Sequence, residues 1–322
     1  MNTKIVYAIV SSGKSVYFER AFVSAWSVKH YNPQSKITVV IDYVSRNSVD
    51  SECYVNFMKL IDEEIVISIN DDYTNVEKSR WIKTNLRNLV KGDFLFLDVD
   101  TIVCEDLSEI DDFDIDIGFV QDFNCPFREN QNYKIHKRLM KKYFNQTITS
   151  DSDYFNSGVI FAKDKKRCHD FFTLWHNNWL ETRRNGYFRD QLSLLKTTID
   201  SHGTASEISG VYNCQFCINL KFLHQAKIMH FYRMQKDFSL SPFFDESLYL
   251  KVRENKEISE ELQSMILNCK SIFNGPSMSL GGIDLEIVGS NVYRLIKNIF
   301  NNHTCFLFVL KGICNSYYKV FK

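Results

Sequence analysis

The chain has 322 residues, of which 44% are hydrophobic and 14% aromatic. That length suits one large domain or two modest ones, and the hydrophobic fraction excludes a globally disordered protein. Lys and Arg together number 39, as do Asp and Glu, so the formal net charge is zero and the bulk charge excludes nucleic acid as an expected partner.

The first hundred residues alternate between predicted strands and predicted helices. The predicted strands are 4–10, 36–41, 64–69 and 94–97, and the helices between them are 16–30, 51–61 and 76–89. This alternation indicates an α/β protein with a Rossmann-like, parallel sheet covered by helices. Later strands are expected at 117–120, 154–162 and 228–231, and later helices at 135–143, 167–183 and from Asp190 onward.

Two carboxylates follow the most apolar of these strands. Phe94-Leu95-Phe96-Leu97 is typical of a strand buried on both faces, and Asp98-Val99-Asp100 comes directly after it. Side chains two residues apart in an extended segment point the same way, so Asp98 and Asp100 are predicted to converge. Ligands of open α/β sheets bind at the carboxyl ends of strands, and paired carboxylates suit a hard cation that also binds phosphate. The pair therefore predicts a metal-assisted enzyme with a phosphorylated or nucleotide substrate.

Three other interpretations compete for these residues. The first is a P-loop phosphotransferase, because Gly13-Lys14-Ser15 lies between a predicted strand and a predicted helix. Against it, the first glycine of that motif is replaced by Ala8, and Ile9-Val10 continue the strand. The second is a haloacid-dehalogenase-type phosphatase, whose D-x-D motif usually opens the domain. In the third, the two carboxylates merely end a strand.

Further motifs surround the carboxylate pair in a definite order. They are Ser79-Arg80-Trp81 before the apolar strand, then Tyr154-Phe155-Asn156-Ser157-Gly158-Val159, Asp190-Gln191, Tyr212-Asn213 and His230. Together, over Lys4 to about Lys236, they resemble the motifs of glycosyltransferase family 8. The resemblance implies a GT-A fold with a mostly parallel central sheet, here as a catalytic domain over 1–245. A helical C-terminal extension is expected over 246–322.

The resemblance also implies roles for individual residues. Asp98, Asp100 and His230 would hold Mn²⁺ or Mg²⁺, and ligation by oxygen and imidazole suits Mn²⁺ better. Asn156, Asp190 and Gln191 would face the donor sugar as catalytic residues. The nucleotide diphosphate would be bound by a larger set, namely Ala8, Val10, Ser11, Tyr17, Arg80, Asp98, Val99 and Lys236. The loop after the first strand, Ser11-Ser12-Gly13-Lys14, departs from the acidic or Asn residues that the family often has there.

The implied reaction moves a hexose from a nucleotide-diphosphate sugar, expected to be UDP-glucose or UDP-galactose, to a hydroxyl of a glycan acceptor. The family resemblance implies retention of the anomeric configuration. Synthesis of a surface polysaccharide or lipopolysaccharide on a lipid-linked acceptor is the expected context. A P-loop phosphotransferase and an inactive homologue that binds nucleotide sugars are the remaining alternatives.

The end of the chain differs in composition from the rest. From Ile287 onward there is no Asp or Glu, and aromatic residues alternate with the basic residues Arg294, Lys297, Lys311, Lys319 and Lys322. This composition predicts peripheral contact with an anionic membrane surface, and the alternative is a helix packed on the catalytic domain. The scattered cysteines, nine in all, and an N-terminus without the apolar region of a signal peptide predict a cytoplasmic protein on the inner face of the membrane.

Overall fold

The computed structural model of the chain describes residues 1–70, 72–232, 241–271, 286–287 and 290–321. It divides into two compact units, Met1–Ser271 and Ile272–Lys322. This division comes later than the predicted boundary after residue 245, because residues 246–271 are packed into the first unit.

The described strands form two sheets. They are β1 Lys4–Ile9, β2 Ile37–Asp42, β3 Glu63–Ile67, β4 Phe94–Leu97, β5 Thr101–Val103, β6 Ile117–Gln121, β7 Phe155–Ala162, β8 Ala205–Glu207 and β9 Ile228–His230. The larger sheet has the order β3-β2-β1-β4-β7-β6-β8. Only β7 runs antiparallel to its neighbours there, so the prediction of a mostly parallel sheet is confirmed. The smaller sheet pairs β5 with β9 in antiparallel fashion.

The helices cover the larger sheet or follow it in the chain. They are α1 Tyr17–Tyr31, α2 Tyr43–Ser48, α3 Ser51–Met58, α4 Asn75–Thr84, α5 Leu86–Leu89, α6 Tyr133–Phe144, α7 Lys166–Arg184, α8 Gln191–Asp200, α9 Glu246–Asn255, α10 Glu260–Leu267, α11 Asn291–Asn302 and α12 Thr304–Phe321. The helix predicted over 76–89 is two helices, broken at Asn85. Its start is set by a capping box in which Thr74 and Glu77 exchange side-chain and backbone hydrogen bonds.

The central strand β4 is held by an aromatic core. All four of its residues are buried, and Phe94 and Phe96 join a cluster that contains Phe172 and Trp175 of α7. The rings of Phe94 and Phe172 pack edge to face with centroids 6.1 Å apart. Burial of such rings contributes about 2–3 kcal/mol each, so the end of β4 is a rigid support for the residues that follow it.

The reversal at β7 decides which chain segments meet at one edge of the sheet. Because β6 and β4 are both antiparallel to β7, β6 runs in the same direction as β4 and β1. The carboxyl ends of β1, β4 and β6 therefore share an edge with the first residues of β7. Asp98, Asp122 and Asn156 all lie at this edge.

Within the first unit, helix α9 is tied to α1 by a half-buried ion pair. The guanidinium of Arg253 lies 2.6 Å from the carboxylate of Glu19 on α1, which is only 3% exposed. The same guanidinium donates to the carbonyl oxygens of Gly13 and Ser15. Helix α9, which the sequence analysis placed in the C-terminal extension, thus fixes the loop after β1.

The second unit carries two amphipathic helices. On α11, Val292, Leu295, Ile296 and Ile299 repeat at helical spacing along one side, and the first three are exposed. On α12, Phe306, Val309, Ile313 and Tyr317 do the same, and all four are exposed. Within the described part of the chain, none of the helices combines the length and the apolar character needed to cross a membrane.

A smaller core lies under α6, in the segment between β6 and β7. There His136 is buried, and its Nε2 lies 3.0 Å from the hydroxyl of Tyr154. Burial, with a smaller contribution from the charge of Arg189, lowers the pKa of His136 to about 4. The folded protein therefore keeps this imidazole neutral at pH values where the unfolded chain already binds a proton.

We expect His136 to make folding sensitive to mild acid. The histidine pKa is about 6.5 in the unfolded chain, so its contribution is fully present above that pH and is lost as the pH falls toward 4. Between pH 7.5 and pH 5 this loss should be about 2 kcal/mol. Urea unfolding should therefore show that the free energy of unfolding changes less between the two pH values in His136→Phe than in the wild type. His224→Phe, at an exposed position, is the matched control and should show the same change in free energy of unfolding as the wild type. If His136→Phe also showed that same change, His136 would not be the source of the acid sensitivity.

Candidate active site

The two carboxylates converge for a different reason from the one predicted. Strand β4 ends at Leu97, and Asp98 to Asp100 form a turn that leads into β5. The amide of Asp98 donates to the carbonyl of Gly158 at 2.7 Å, and the carbonyl of Asp100 accepts from the amide of Phe231 at 2.8 Å. The turn is thus fixed by β7 on one side and by the residue after β9 on the other, and not by the alternation of an extended strand.

The pairing of β5 with β9 brings His230 to this turn. Thr101 lies opposite His230 in the ladder, and Nε2 of His230 is 3.3 Å from Oδ1 of Asp100. One ligand atom from each of Asp98, Asp100 and His230 lies within 4.8 Å of the others. The predicted metal ligands are therefore brought together by the fold.

Three amide and carboxylate groups orient the imidazole of His230. Nδ1 of His230 lies 2.9 Å from Oδ1 of Asn213, and Nδ2 of Asn213 donates to Oδ1 of Asn156. Nδ2 of Asn156 in turn donates to Asp122. Since the Asn213 oxygen only accepts, Nδ1 of His230 carries a proton and Nε2 is the atom presented to Asp100. Outer hydrogen bonds of this kind are typical of metal-ligating histidines.

The chemistry of this cluster fits a divalent cation. Two carboxylates and one imidazole are the ligand types that Mn²⁺ binds, and the separation of Nε2 and Oδ1 is close to the ~3 Å between neighbouring ligands of one octahedral ion. Burial alone would raise the pKa of Asp100, but the charge and hydrogen bond of His230 hold it well below its usual range. Burial raises the pKa of Asp98, and Lys83 opposes that shift.

Helix α4 places two basic side chains, Arg80 and Lys83, beside the carboxylates of the site. Nζ of Lys83 lies 2.6 Å and 2.9 Å from the two carboxylate oxygens of Asp98, and Nε of Arg80 lies 3.0 Å from Asp190. Burial raises the pKa of Asp190, but the charges of Arg80 and Lys83 and a hydrogen bond from Ser157 outweigh it, so this pKa is lowered. Arg80 was predicted from the sequence and Lys83 was not. Their spacing of three residues, which places both on one helix face, was the available signal.

The start of β7 positions the predicted catalytic residues. Ser157 donates to the carboxylate of Asp190 at 2.7 Å, and the side-chain amide of Gln191 donates to the carbonyl of Phe155. Asn156 lies between these two anchors. Asn156, Asp190 and Gln191 are therefore gathered around one strand end, beside the carboxylate turn.

A cleft opens beside this cluster. Its walls are formed by Ala8, Val10, Tyr17, Asn75, Val76, Ser79, Arg80, Asp98, Val99 and Asp100. Most of the residues predicted to bind the nucleotide are in this set. Ser11 is placed elsewhere: it is buried, and its amide donates to the hydroxyl of Ser45 at 2.7 Å. The prediction for Lys236 falls outside the described residues.

The loop after β1 is not arranged as a phosphate cradle. The amide of Ser12 donates to the hydroxyl of Ser15, and the amide of Ser15 donates to the carbonyl of Ser12. With the amide of Ser11 bound to Ser45, these donors of the loop are already used inside the protein. A P-loop requires such amides to be free for phosphate oxygens, so the geometry weighs against that alternative.

Asp122 is a site residue that the sequence analysis missed. It follows β6, is buried, and accepts hydrogen bonds from Asn130 and Asn156. Burial, only partly offset by these bonds, raises its pKa to about 6. The next two residues, Phe123 and Asn124, have φ values of 61° and 52°, a left-handed conformation that is typical of functional sites when non-glycine residues adopt it. A carboxylate two residues after the strand predicted over 117–120 was the signal that could have revealed it.

Comparison with known proteins agrees with this fold. The profile of Glycosyl transferase family 8 matches residues 8–236. No curated protein matches the chain. The solved structure of galactosyltransferase LgtC with donor and acceptor sugar analogues superimposes with a TM-score of 0.53 and 16% identity, over 82% of this chain and 100% of that one. An active-site mutant of LgtC gives 0.54 and 17%. The bifunctional glycosyltransferase WbbM gives 0.51 and 15%, over 82% of this chain and 51% of that one.

The fold and the family together define a GT-A glycosyltransferase that uses a nucleotide-sugar donor. More specifically, the chain belongs to glycosyltransferase family 8.

Gly158 is required by the close approach of His230. A Cβ added there would lie 2.2 Å from Cε1 of His230 and 2.9 Å from Oδ1 of Asn156. We therefore expect Gly158→Ala to displace His230 and to lower the free energy of unfolding by about 2 kcal/mol, as overpacking does.

Urea unfolding measures this effect directly. Gly13→Ala is the control, because its added Cβ meets only an ordinary contact at 3.7 Å, and it should change stability by less than about 0.5 kcal/mol. Equal stability of the two variants would show that β7 and β9 do not approach this closely.

Proposed function

We propose that this protein is a metal-dependent hexosyltransferase. It moves a hexose from a UDP-sugar, UDP-glucose or UDP-galactose, to a hydroxyl group of a glycan acceptor with retention of configuration. The convergence of Asp98, Asp100 and His230 beside the cleft is the observation that carries this proposal. Galactose is included because the similar LgtC is described as a galactosyltransferase.

The metal would be held by Asp98, Asp100 and His230, with Mn²⁺ favoured over Mg²⁺ because one ligand is an imidazole. A bound divalent cation supplies Lewis-acid chemistry that offsets negative charge on a departing diphosphate. The protein's own contribution is to keep Asp100 ionised through the neighbouring His230 and to hold the His230 ring in place through Asn213.

The remaining polar groups would bind and orient the donor. Arg80 lines the cleft and forms an ion pair with Asp190, and its guanidinium can donate to phosphate oxygens. The ring of Tyr17 is 51% exposed and offers a face on which a nucleobase can stack. Asp190 is kept as an acceptor for sugar hydroxyls by its cationic neighbours. Asn156 and Gln191 would complete the surface that faces the transferred sugar.

Removal of either carboxylate should abolish the metal-dependent reaction. We expect Asp98→Asn and Asp100→Asn each to lower Mn²⁺-dependent turnover of a UDP-hexose by at least about a hundredfold, because several kcal/mol of charge stabilisation is lost. Thermal-shift titration with UDP-hexoses, with and without Mn²⁺, should lose its metal-dependent component in the same variants. The exposed Asp106→Asn, in the segment after β5, is the matched control and should behave like the wild type.

The same assays separate the alternatives. A P-loop phosphotransferase would respond equally to ATP and would lose activity in Lys14→Ala, a change that a glycosyltransferase should tolerate. An inactive homologue would show the metal-dependent thermal shift with no turnover of any UDP-hexose. Either result would overturn the proposal of a UDP-hexosyltransferase.

We also propose that the C-terminal helices bind an anionic membrane surface from the cytoplasmic side. The support lies in their composition: both helices have an exposed apolar side, and from Ile287 onward there are five basic residues and no acid. Anionic headgroups complement that charge, and the apolar side can enter the interface. Contact of this kind suits a lipid-linked glycan acceptor in surface polysaccharide or lipopolysaccharide synthesis.

Vesicle co-sedimentation of the full chain tests the membrane proposal. Binding should be strong to vesicles that contain phosphatidylglycerol, weak to pure phosphatidylcholine, and reduced by salt. Replacing Arg294, Lys297, Lys311 and Lys319 by Gln should weaken binding by at least about tenfold, since each basic residue contributes ~1 kcal/mol near the surface. Equal binding of the two vesicle types, or no binding at all, would contradict the proposal.

A further inference from the structure

Three carboxylates in or beside the cleft are paired with a basic side chain of the protein. Asp98 is bound by Lys83, Asp190 by Arg80, and Asp100 by His230. Lys83 differs from the other partners because its ammonium contacts both oxygens of its carboxylate, at 2.6 Å and 2.9 Å. Both oxygens of this proposed metal ligand are thus occupied by a cation of the protein.

Lys83 is also confined. Its side chain is only 3% exposed, and Nζ lies 5.1 Å from the centre of the Phe96 ring of β4. A buried ammonium has no water to which it can move at low cost. A cation that binds Asp98 therefore meets Lys83 at close range rather than displacing it into solvent.

The charges of the site can be counted from these pairs. Asp98 and Asp190 pair with Lys83 and Arg80, and His230 must be neutral when it binds a metal, so among the proposed ligands and Asp190 only the negative charge of Asp100 is not paired with a cation. A divalent cation that enters alone leaves the cleft with an excess of positive charge next to Lys83, which is unfavourable in a partly buried site. A diphosphate diester, with two negative charges, removes that excess and gives Lys83 a second anion to contact.

We propose that Lys83 makes binding of the divalent cation conditional on the nucleotide diphosphate. Lys83 is the internal counter-ion of Asp98, and it opposes binding of the metal until the donor's phosphates arrive. The inference rests on the proposed function, because it assumes that Asp98 is a metal ligand and that the donor is a nucleotide diphosphate. It assigns Lys83 a positioning role that neither the sequence motifs nor the metal cluster includes.

Direct measurement of metal binding tests this role without reference to turnover. Mn²⁺ affinity is measured by electron paramagnetic resonance of free Mn²⁺, with and without UDP as the probe. In the wild type UDP should tighten Mn²⁺ binding by at least about tenfold, within the usual range of coupling between sites. In Lys83→Met, Mn²⁺ without UDP should bind at least about fivefold tighter than in the wild type, and the effect of UDP should shrink correspondingly.

Lys78→Met is the matched control, because Lys78 lies on the same helix, is also buried, and pairs with Asp42, and neither residue lines the cleft. It should keep the wild-type Mn²⁺ affinity and the wild-type effect of UDP. Lys83→Gln, which removes the charge and keeps a hydrogen-bond donor, should shift Mn²⁺ affinity in the same direction as Lys83→Met. It provides the measurement if the methionine variant does not fold.

Two results would overturn the inference, and they are distinguishable. If the wild type binds Mn²⁺ with UDP but the Lys83 variants bind Mn²⁺ alone no more tightly than the wild type, Lys83 does not oppose the metal and the proposed function is unaffected. If the wild type binds no Mn²⁺ even with UDP, the proposed metal-dependent function fails and the inference fails with it.

Discussion

The short antiparallel ladder between β5 and β9 is the constraint on which the candidate site depends. Its register sets His230 opposite Thr101, and the next backbone bond, from Phe231 to Asp100, closes the turn that carries the carboxylates. Six residues in two three-residue strands therefore join the end of the central strand to a segment far along the chain. Without that ladder the two carboxylates would have no imidazole beside them, and the three candidate metal ligands would not lie together.

A series of polar side chains orients the imidazole that this ladder brings to the site. Asp122, Asn156 and Asn213 form a directional series of hydrogen bonds that ends at Nδ1 of His230. Gly158 makes room for the same imidazole, since no side chain fits between β7 and His230. The asparagine and glycine of the Phe-Asn-Ser-Gly-Val segment thus act partly by orienting a residue of a different strand. Such indirect roles explain why residue types can be essential at positions that touch no substrate.

The balance of charge in the cleft depends on one helix. Arg80 and Lys83 both project from α4 and pair with Asp190 and Asp98, two carboxylates from distant parts of the sequence. Arg253 of α9 holds the loop after β1 through Glu19 and the loop carbonyls. That loop lies between a strand and a helix, as a P-loop does, but the amides of Ser11 and Ser12 donate to side chains of the protein, which weighs against phosphate binding there.

The amino-acid sequence by itself determined the class of fold, most element positions and the identity of the metal-ligand candidates. The features that gave this information are local: patterns of period two and period 3.6, carboxylates at strand ends, and motifs in a fixed order. They can be recognised without knowing which residues are in contact. The direction of β7, the β5–β9 ladder, the split of the helix predicted over 76–89 and the pairing of Lys83 with Asp98 were decided only in three dimensions. These four features depend on which distant segments of the chain come into contact. A three-residue strand or a single buried lysine has too little local sequence pattern to predict such a contact. The prediction that Asp98 and Asp100 converge was confirmed, but the cause is a turn fixed by two distant backbones.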